Sequence, residues 1–221
     1  MLDGIQKTIA SFLARKKRIA DNSVEERADF VKSLCAAAGG TDWETRMAAL
    51  LQRYATFLED PASAKYHGNW DGGLLEHSLR VLWYACKLEW FISAPPLQDA
   101  NGLLPDILAA ESRWIVPACL LHDLCKAGTY KKERSPYNAA QLVYKTKPNL
   151  TLFGHGEESL RRIAEFFPEM PESWALAVRW HMGAYQIADQ DKSYMTNAIK
   201  KHGAVLLLQT ADMLAGIRDE V

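Results

Sequence analysis

Apolar residues recur every three or four positions along most of this chain, the pattern of helices that bury one face. Ile5, Ile9, Phe12 and Leu13 open it, and the basic run Arg15-Lys16-Lys17-Arg18 closes the first segment as a solvated helix end. Asn22 or Ser23 is placed to cap a second helix over 24–38, which Gly39-Gly40 stops. Thr41 or Asp42 caps a third, running to about residue 58, where Asp60-Pro61 ends it. Pro61, Gly68, Asn69, Gly72 and Gly73 interrupt any period, so 61–73 is expected to be an ordered loop. A long helix is predicted over 74–91. Pro95-Pro96 to Pro105 form a connection, and another helix covers 108–126 with Pro117 as a kink or break. Segment 128–154 scatters tyrosines among lysines and fits a small β-hairpin or an irregular lid. Helical spacing returns over 157–167, 171–181 and 204–218.

The expected fold is therefore all-α: a helical bundle with one short irregular or β-hairpin insertion. Residues 1–60 are read as N-terminal helices packed on a core unit spanning 61–221, together one globular body. The chain has 221 residues, 48% of them hydrophobic, enough for one well-packed domain. Its formal net charge of −1 gives no global attraction for nucleic acid or anionic membranes, though a local basic patch can still bind phosphate. No apolar run approaches the roughly 20 residues that span a bilayer. Cys35, Cys86, Cys119 and Cys125 form no C-x-x-C pair. Cys119 and Cys125 read as small core residues, and a reduced, cytoplasmic setting is expected.

Chemistry concentrates in a few histidines and aspartates. His122-Asp123 follows the apolar run Ile115 to Leu121, where a carboxylate is costly to bury without a partner or a metal. Lys126 lies three residues after Asp123 and four after His122, within reach on a helix. Two adjacent residues are weak evidence, and an ordinary helix end with an Asp123–Lys126 ion pair explains them equally. Asp212 sits among Leu208, Ala211 and Ala215 and either faces solvent or needs a partner. His77 opens a helix, His155 stands between Gly154 and Gly156, and His181 ends a helix. Singly, each fits a core or capping histidine. Together, four imidazoles and two carboxylates suit first-row divalent ions such as Mn, Fe, Co, Ni or Zn. Six such ligands exceed what one tetrahedral ion uses, which suggests two.

The flanking words sharpen this. Gly72-Gly73-Leu74-Leu75-Glu76-His77, Leu120-Leu121-His122-Asp123-Leu124-Cys125-Lys126, Phe153-Gly154-His155-Gly156-Glu157, Trp180-His181-Met182-Gly183 and Thr210-Ala211-Asp212 occur in order over roughly 61–218. This series resembles the binuclear branch of the HD-domain phosphohydrolase superfamily. The resemblance implies that His77, His122, Asp123 and Asp212 hold one metal ion, and that His155, His181 and a bridging Asp123 hold a second. Asp123 and Lys126 would carry the chemistry, with Lys126 contacting substrate phosphate or assisting the attacking water. Cys125 departs from the pattern, where family members often carry glycine; a thiol there is expected to be oxidation-sensitive.

The implied activity is hydrolysis of a nucleotide or another small phosphoester by a metal-activated water. A di-iron oxygenase of the same fold and a non-catalytic metal- or nucleotide-binding module are the competing expectations. Outside the metals, Lys126, Tyr130 and His67 are the candidate substrate contacts. Lysines and tyrosines of 128–154 would attract an anion and stack on a base, or form an exposed basic loop. His202 reads as solvated.

Overall fold

Ser23 starts the longest helix by a reciprocal cap: its Oγ accepts from the Glu26 N–H at 3.1 Å, and Glu26 Oε2 accepts from the Ser23 N–H at 2.7 Å. In this computed structural model, residues 1–15, 18–92, 111–138, 140–148, 153–184 and 188–218 are described. The expected connection from Pro95 to Pro105, the start of the 108–126 helix, and Lys16 and Lys17 lie outside them.

The described helices are α1 (Leu2–Ala14), α2 (Val24–Arg53), α3 (Gly73–Ile92), α4 (Ile115–Leu121), α5 (His155–Ala164), α6 (Glu172–Trp180), α7 (Lys192–Lys201) and α8 (Gly203–Arg218). The only sheet among the described residues is the hairpin of β1 (Tyr130–Arg134) and β2 (Leu142–Thr146). It pairs Tyr130 with Thr146 and Lys132 with Tyr144. The fold is all-α with a small hairpin, as the periodicity implies.

α3 is the central helix. It packs along α8, α4 and α1, and α6 lies against α8 and α5. Leu74, Leu75, Leu79, Val81 and Leu82 are buried on it, and Ile5, Ile9 and Phe12 of α1 share the same core.

The two helices foreseen around Gly39-Gly40 are present, for Gly40, with a φ of 70° outside the helical region, breaks α2 in two. Other expectations shift. The second part of α2 ends at Arg53, and a 3-10 turn over Ala55–Leu58 follows. Pro117 does not kink a helix. It lies in the first turn of α4, where the N–H it lacks has no partner within the helix. The helix stops at Leu121, and a 3-10 turn covers Leu124–Lys126. Helix α7, between Asp191 and His202, has no counterpart in the apolar pattern because only Ala198 of it is buried.

The loop over 61–73 is ordered by its backbone. Ala62 N–H donates to Gly68 O at 2.9 Å, and Gly72 N–H to Glu59 O at 2.7 Å. Gly73 lies so close to Gly68 that a β-carbon would stand 2.0 Å from its carbonyl oxygen, so this position admits only glycine. Arg27, buried, clasps the loop from below by donating to Leu58 O at 2.6 Å. The loop thereby delivers the start of α3, and His77 with it, into the core.

Candidate metal centre

Five separate segments bring their polar side chains to one point. His77 comes from the first turns of α3 and His122-Asp123 from the turn that ends α4. His155 is the first residue of α5, and His181 follows the last residue of α6. Asp212 comes from α8. His77, His122, Asp123 and His181 are all at most 2% exposed, while His155 and Asp212 lie nearer the surface.

The donor atoms fall into two groups around Asp123. On its Oδ2 side, His77 Nε2 and His122 Nε2 are 3.3 Å apart. Asp212 Oδ1 lies 3.0 Å from the former and 3.7 Å from the latter. Asp123 Oδ2 lies 3.7 and 3.5 Å from the same two nitrogens. On its Oδ1 side stand His155 Nε2 at 2.5 Å and His181 Nε2 at 3.4 Å.

The ring orientations follow from the backbone. His122 Nδ1–H donates to Cys119 O at 2.8 Å and His181 Nδ1–H to Val178 O at 2.6 Å, since a carbonyl can only accept. In the neutral ring each Nε2 then presents a lone pair to the cluster. His181 Nε2 is buried and has no hydrogen-bond partner, a costly arrangement for a polar atom unless it binds a ligand.

These observations test whether a metal ion fits. Around an ion with bonds of about 2.1 Å, adjacent donors stand about 3.0 Å apart in an octahedron and about 3.4 Å in a tetrahedron. The separations on the Oδ2 side run from 3.0 to 3.7 Å, at those edges or slightly beyond them. On the other side the His181 contact matches an edge of such a shell, and His155 sits closer. Three groupings, His77-His122-Asp123, His122-His181-Asp212 and Asp123-Cys125-His155, have ligand atoms mutually within 4.8 Å. The residues therefore fit a bound metal ion, and the His122-His181-Asp212 grouping links the two sides of the carboxylate.

Electrostatics favour ionised carboxylates. Burial alone would raise the Asp123 carboxyl, but the Lys126 charge and the neighbouring imidazoles hold it well below the usual range. Burial would likewise raise Asp212, but the adjoining His122 and His77 imidazoles hold it well below its ordinary value. Burial would lower His155, yet the Asp123 carboxylate pushes it up to about 10. His181 is lowered by burial, which keeps its ring neutral.

Lys126 Nζ reaches Asp123 Oδ2 at 2.6 Å. The ion pair that explains an ordinary helix end is thus present, but inside the cluster of histidines. The ring of His67 lies 5.2 Å from that of His77, centre to centre, beside the Oδ2 group. Tyr130 directs its hydroxyl to Ala62 O at 3.4 Å. The hairpin lysines are paired: Lys132 with Asp71 at 2.6 Å, and Lys131 and Lys145 with Glu133. Tyr144 also hydrogen-bonds Asp71. His202 is not solvated as expected, for its side chain is 16% exposed and its Nε2 is buried.

Three contributors escape a reading by residue type. Gly156 lets α5 approach the end of α6, Ser159 Oγ accepts from the Cys125 N–H at 3.1 Å, and Cys125 Sγ lies 3.4 Å from His155 Nδ1. The only sequence signal was a cysteine two positions after Asp123.

A family model described as a putative helicase matches residues 22–132. That span holds His77, His122, Asp123 and Lys126, and ends ahead of His155, His181 and Asp212. No curated protein and no solved structure matches the chain.

Proposed function

The chain belongs to the family described as a putative helicase, whose model spans half its length, and we propose that within that family it is a metal-dependent phosphohydrolase acting on a nucleotide or another small phosphoester. The single observation that carries this reading is the carboxylate of Asp123, with His77 and His122 facing one oxygen and His155 and His181 facing the other. The order of motifs that resembles the HD-domain superfamily supports it further.

The chain contains no Gly-Lys pair, so it holds no phosphate loop of the G-x-x-x-x-G-K-[ST] type.

His77, His122, Asp123 and Asp212 would hold one ion, and Asp123, His155 and His181 the other. Ions held there would supply Lewis acidity toward a phosphoryl oxygen and a water nucleophilic at neutral pH. The protein's own groups do the rest. The backbone carbonyls of Cys119 and Val178 fix two imidazoles in the tautomer that offers Nε2. Lys126 places a positive charge beside Asp123, where it neutralises the anionic phosphoryl group and its developing charge. His67, next to His77, borders the substrate side. Burial of the cluster keeps bulk water from screening these charges.

The test is a panel of nucleoside mono-, di- and triphosphates, cyclic nucleotides, short single-stranded oligonucleotides and simple phosphomonoesters, assayed with added Mn, Co, Ni or Zn. Release of phosphate or nucleoside that stops on chelation is the expected result. A metal-loaded protein that hydrolyses none of them, yet consumes oxygen when loaded with iron, would replace this reading with an oxygenase one.

A further inference from the structure

Cys125 differs from the other three cysteines in where its sulfur points. Cys35, Cys86 and Cys119 lie in the apolar core, where burial pushes their thiols up, Cys86 to about 12. Cys125 is buried too, but its Sγ lies 3.4 Å from His155 Nδ1 and 3.6 Å from His155 Nε2. The contact is within reach of a thiol hydrogen bond to the ring, and equally of two donors that share one ion. The Cys125 sulfur shares a cluster with Asp123 and His155 whose ligand atoms are mutually within 4.8 Å. A second, independent feature points to the same place. The partnerless, buried Nε2 of His181 stands 3.4 Å from the Asp123 oxygen that His155 also touches.

Resting on the two-ion reading above, we propose that Cys125 is a protein ligand of the second ion. It completes, with Asp123, His155 and His181, a four-ligand site that selects thiophilic metals such as zinc or cobalt over manganese or magnesium.

The distances suit this. With bonds of about 2.3 Å to sulfur and about 2.1 Å to nitrogen, those two atoms stand about 3.6 Å apart in a tetrahedral site. Cys125 Sγ and His155 Nε2 are 3.6 Å apart, and a turn of the His155 ring, whose Nδ1 lies nearer the sulfur at 3.4 Å, would face Nε2 and Sγ toward one ion. The 3.4 Å between His181 Nε2 and Asp123 Oδ1 is also a tetrahedral edge. His155 and Asp123, at 2.5 Å, form the one edge that must lengthen, and His155 is the most exposed of the four histidines of the cluster, with 24% of its side chain accessible.

The backbone holds the sulfur in position. Cys125 N–H donates to Ser159 Oγ on the helix that begins with His155, and Thr129 Oγ1 donates to Cys125 O at 2.9 Å. The turn carrying the thiol is thus fastened to the helix carrying the imidazole.

The consequence is a division between the two ions. One thiolate among harder donors favours zinc or cobalt on the Oδ1 side. Both sides then offer four protein ligands, but the Oδ2 side keeps only nitrogen and oxygen donors, which also suit six-coordinate ions that leave positions for water and substrate, beside Lys126 and His67.

The test uses the full chain stripped of metal and titrated with cobalt(II). Absorption and cobalt content are recorded for the unaltered protein, Cys125→Ser and Cys125→Gly, with circular dichroism to confirm folding. The expected result is a thiolate-to-cobalt charge-transfer band in the near ultraviolet with two cobalt ions bound. Both variants lose the band and bind the second cobalt at least about tenfold more weakly. Their manganese binding changes little. Two bound cobalt ions without that band, or a band unchanged in both variants, would overturn the role of Cys125 and leave the two-ion reading standing. Failure of the unaltered protein to bind any divalent ion would overturn both.

Discussion

Gly156 packs so tightly against Arg179 that a β-carbon on it would stand 2.1 Å from the Arg179 carbonyl oxygen. This contact joins the first turn of α5 to the last turn of α6, and so sets the separation of His155 and His181. The obstruction is backbone, which cannot swing aside as a side chain would. Gly156→Ala should cost about 1–3 kcal/mol, as overpacking in a filled interior does. It should also weaken the ion held by His155 and His181 while sparing the one held by His77, His122 and Asp212. Denaturant unfolding and metal titration check the two effects separately.

Lys126 touches Asp123 but is not itself a metal ligand. Lys126→Ala should leave the metal content intact and lower kcat by about 100- to 1,000-fold, the usual loss when one preorganised charge is removed. Steady-state kinetics alongside metal analysis make the comparison. A variant that lost its metals would instead make Lys126 a support for the Asp123 geometry.

The two sides of Asp123 should be separable. His77→Ala is expected to lose the ion on the Oδ2 side and His181→Ala the ion on the Oδ1 side, each leaving about one ion per chain. Metal analysis of the two purified variants reads this directly.

A pH effect on stability follows from Glu158, which is buried on α5 and bound by two arginines. Arg161 donates to it at 2.9 and 3.0 Å, and Arg162 at 2.7 Å. Arg162 also donates to the carbonyls of Leu124 and Ala127, so this network holds the turn that carries Cys125 and Lys126. Hydrogen bonds from Arg161 hold the Glu158 carboxyl below its ordinary value, with burial opposing and Arg162 adding to them. A carboxyl depressed in the folded state stabilises the fold fully above its unfolded pKa of about 4.3. That contribution is lost as pH falls through the lower folded value. Glu158→Gln should therefore be less stable at pH 7, with a shallower loss on acidification. Urea unfolding at several pH values measures the difference.

Much of this was legible in the chain because helices write a period into sequence. Ile5, Ile9 and Phe12 announce α1, and Ser23 with Glu26 announces the start of α2. Asp123 and Asp212 were legible because a carboxylate in an apolar helix demands a partner, and the four histidines through their residue type and the order of the motifs around them. What was not legible depends on approach between distant segments. Gly156 reveals its role only once α6 lies against it, and Cys125 looks like any core cysteine until α5 brings His155 to it. Helix α7 was missed because it buries so little, and Pro117, read as a kink or a break, falls in the first turn of a helix that begins two residues before it. The hairpin lysines looked like an anion-binding surface, but Asp71 and Glu133 already pair three of them.

The most direct test of the central claim is the metal content of the purified protein and of Asp123→Ala, measured with phosphoester turnover on the same samples. Two transition-metal ions per chain, with both ions and all turnover lost in the variant, is the result predicted from a carboxylate that serves both sides. An Asp123→Ala protein that keeps its full metal content and turnover would contradict it.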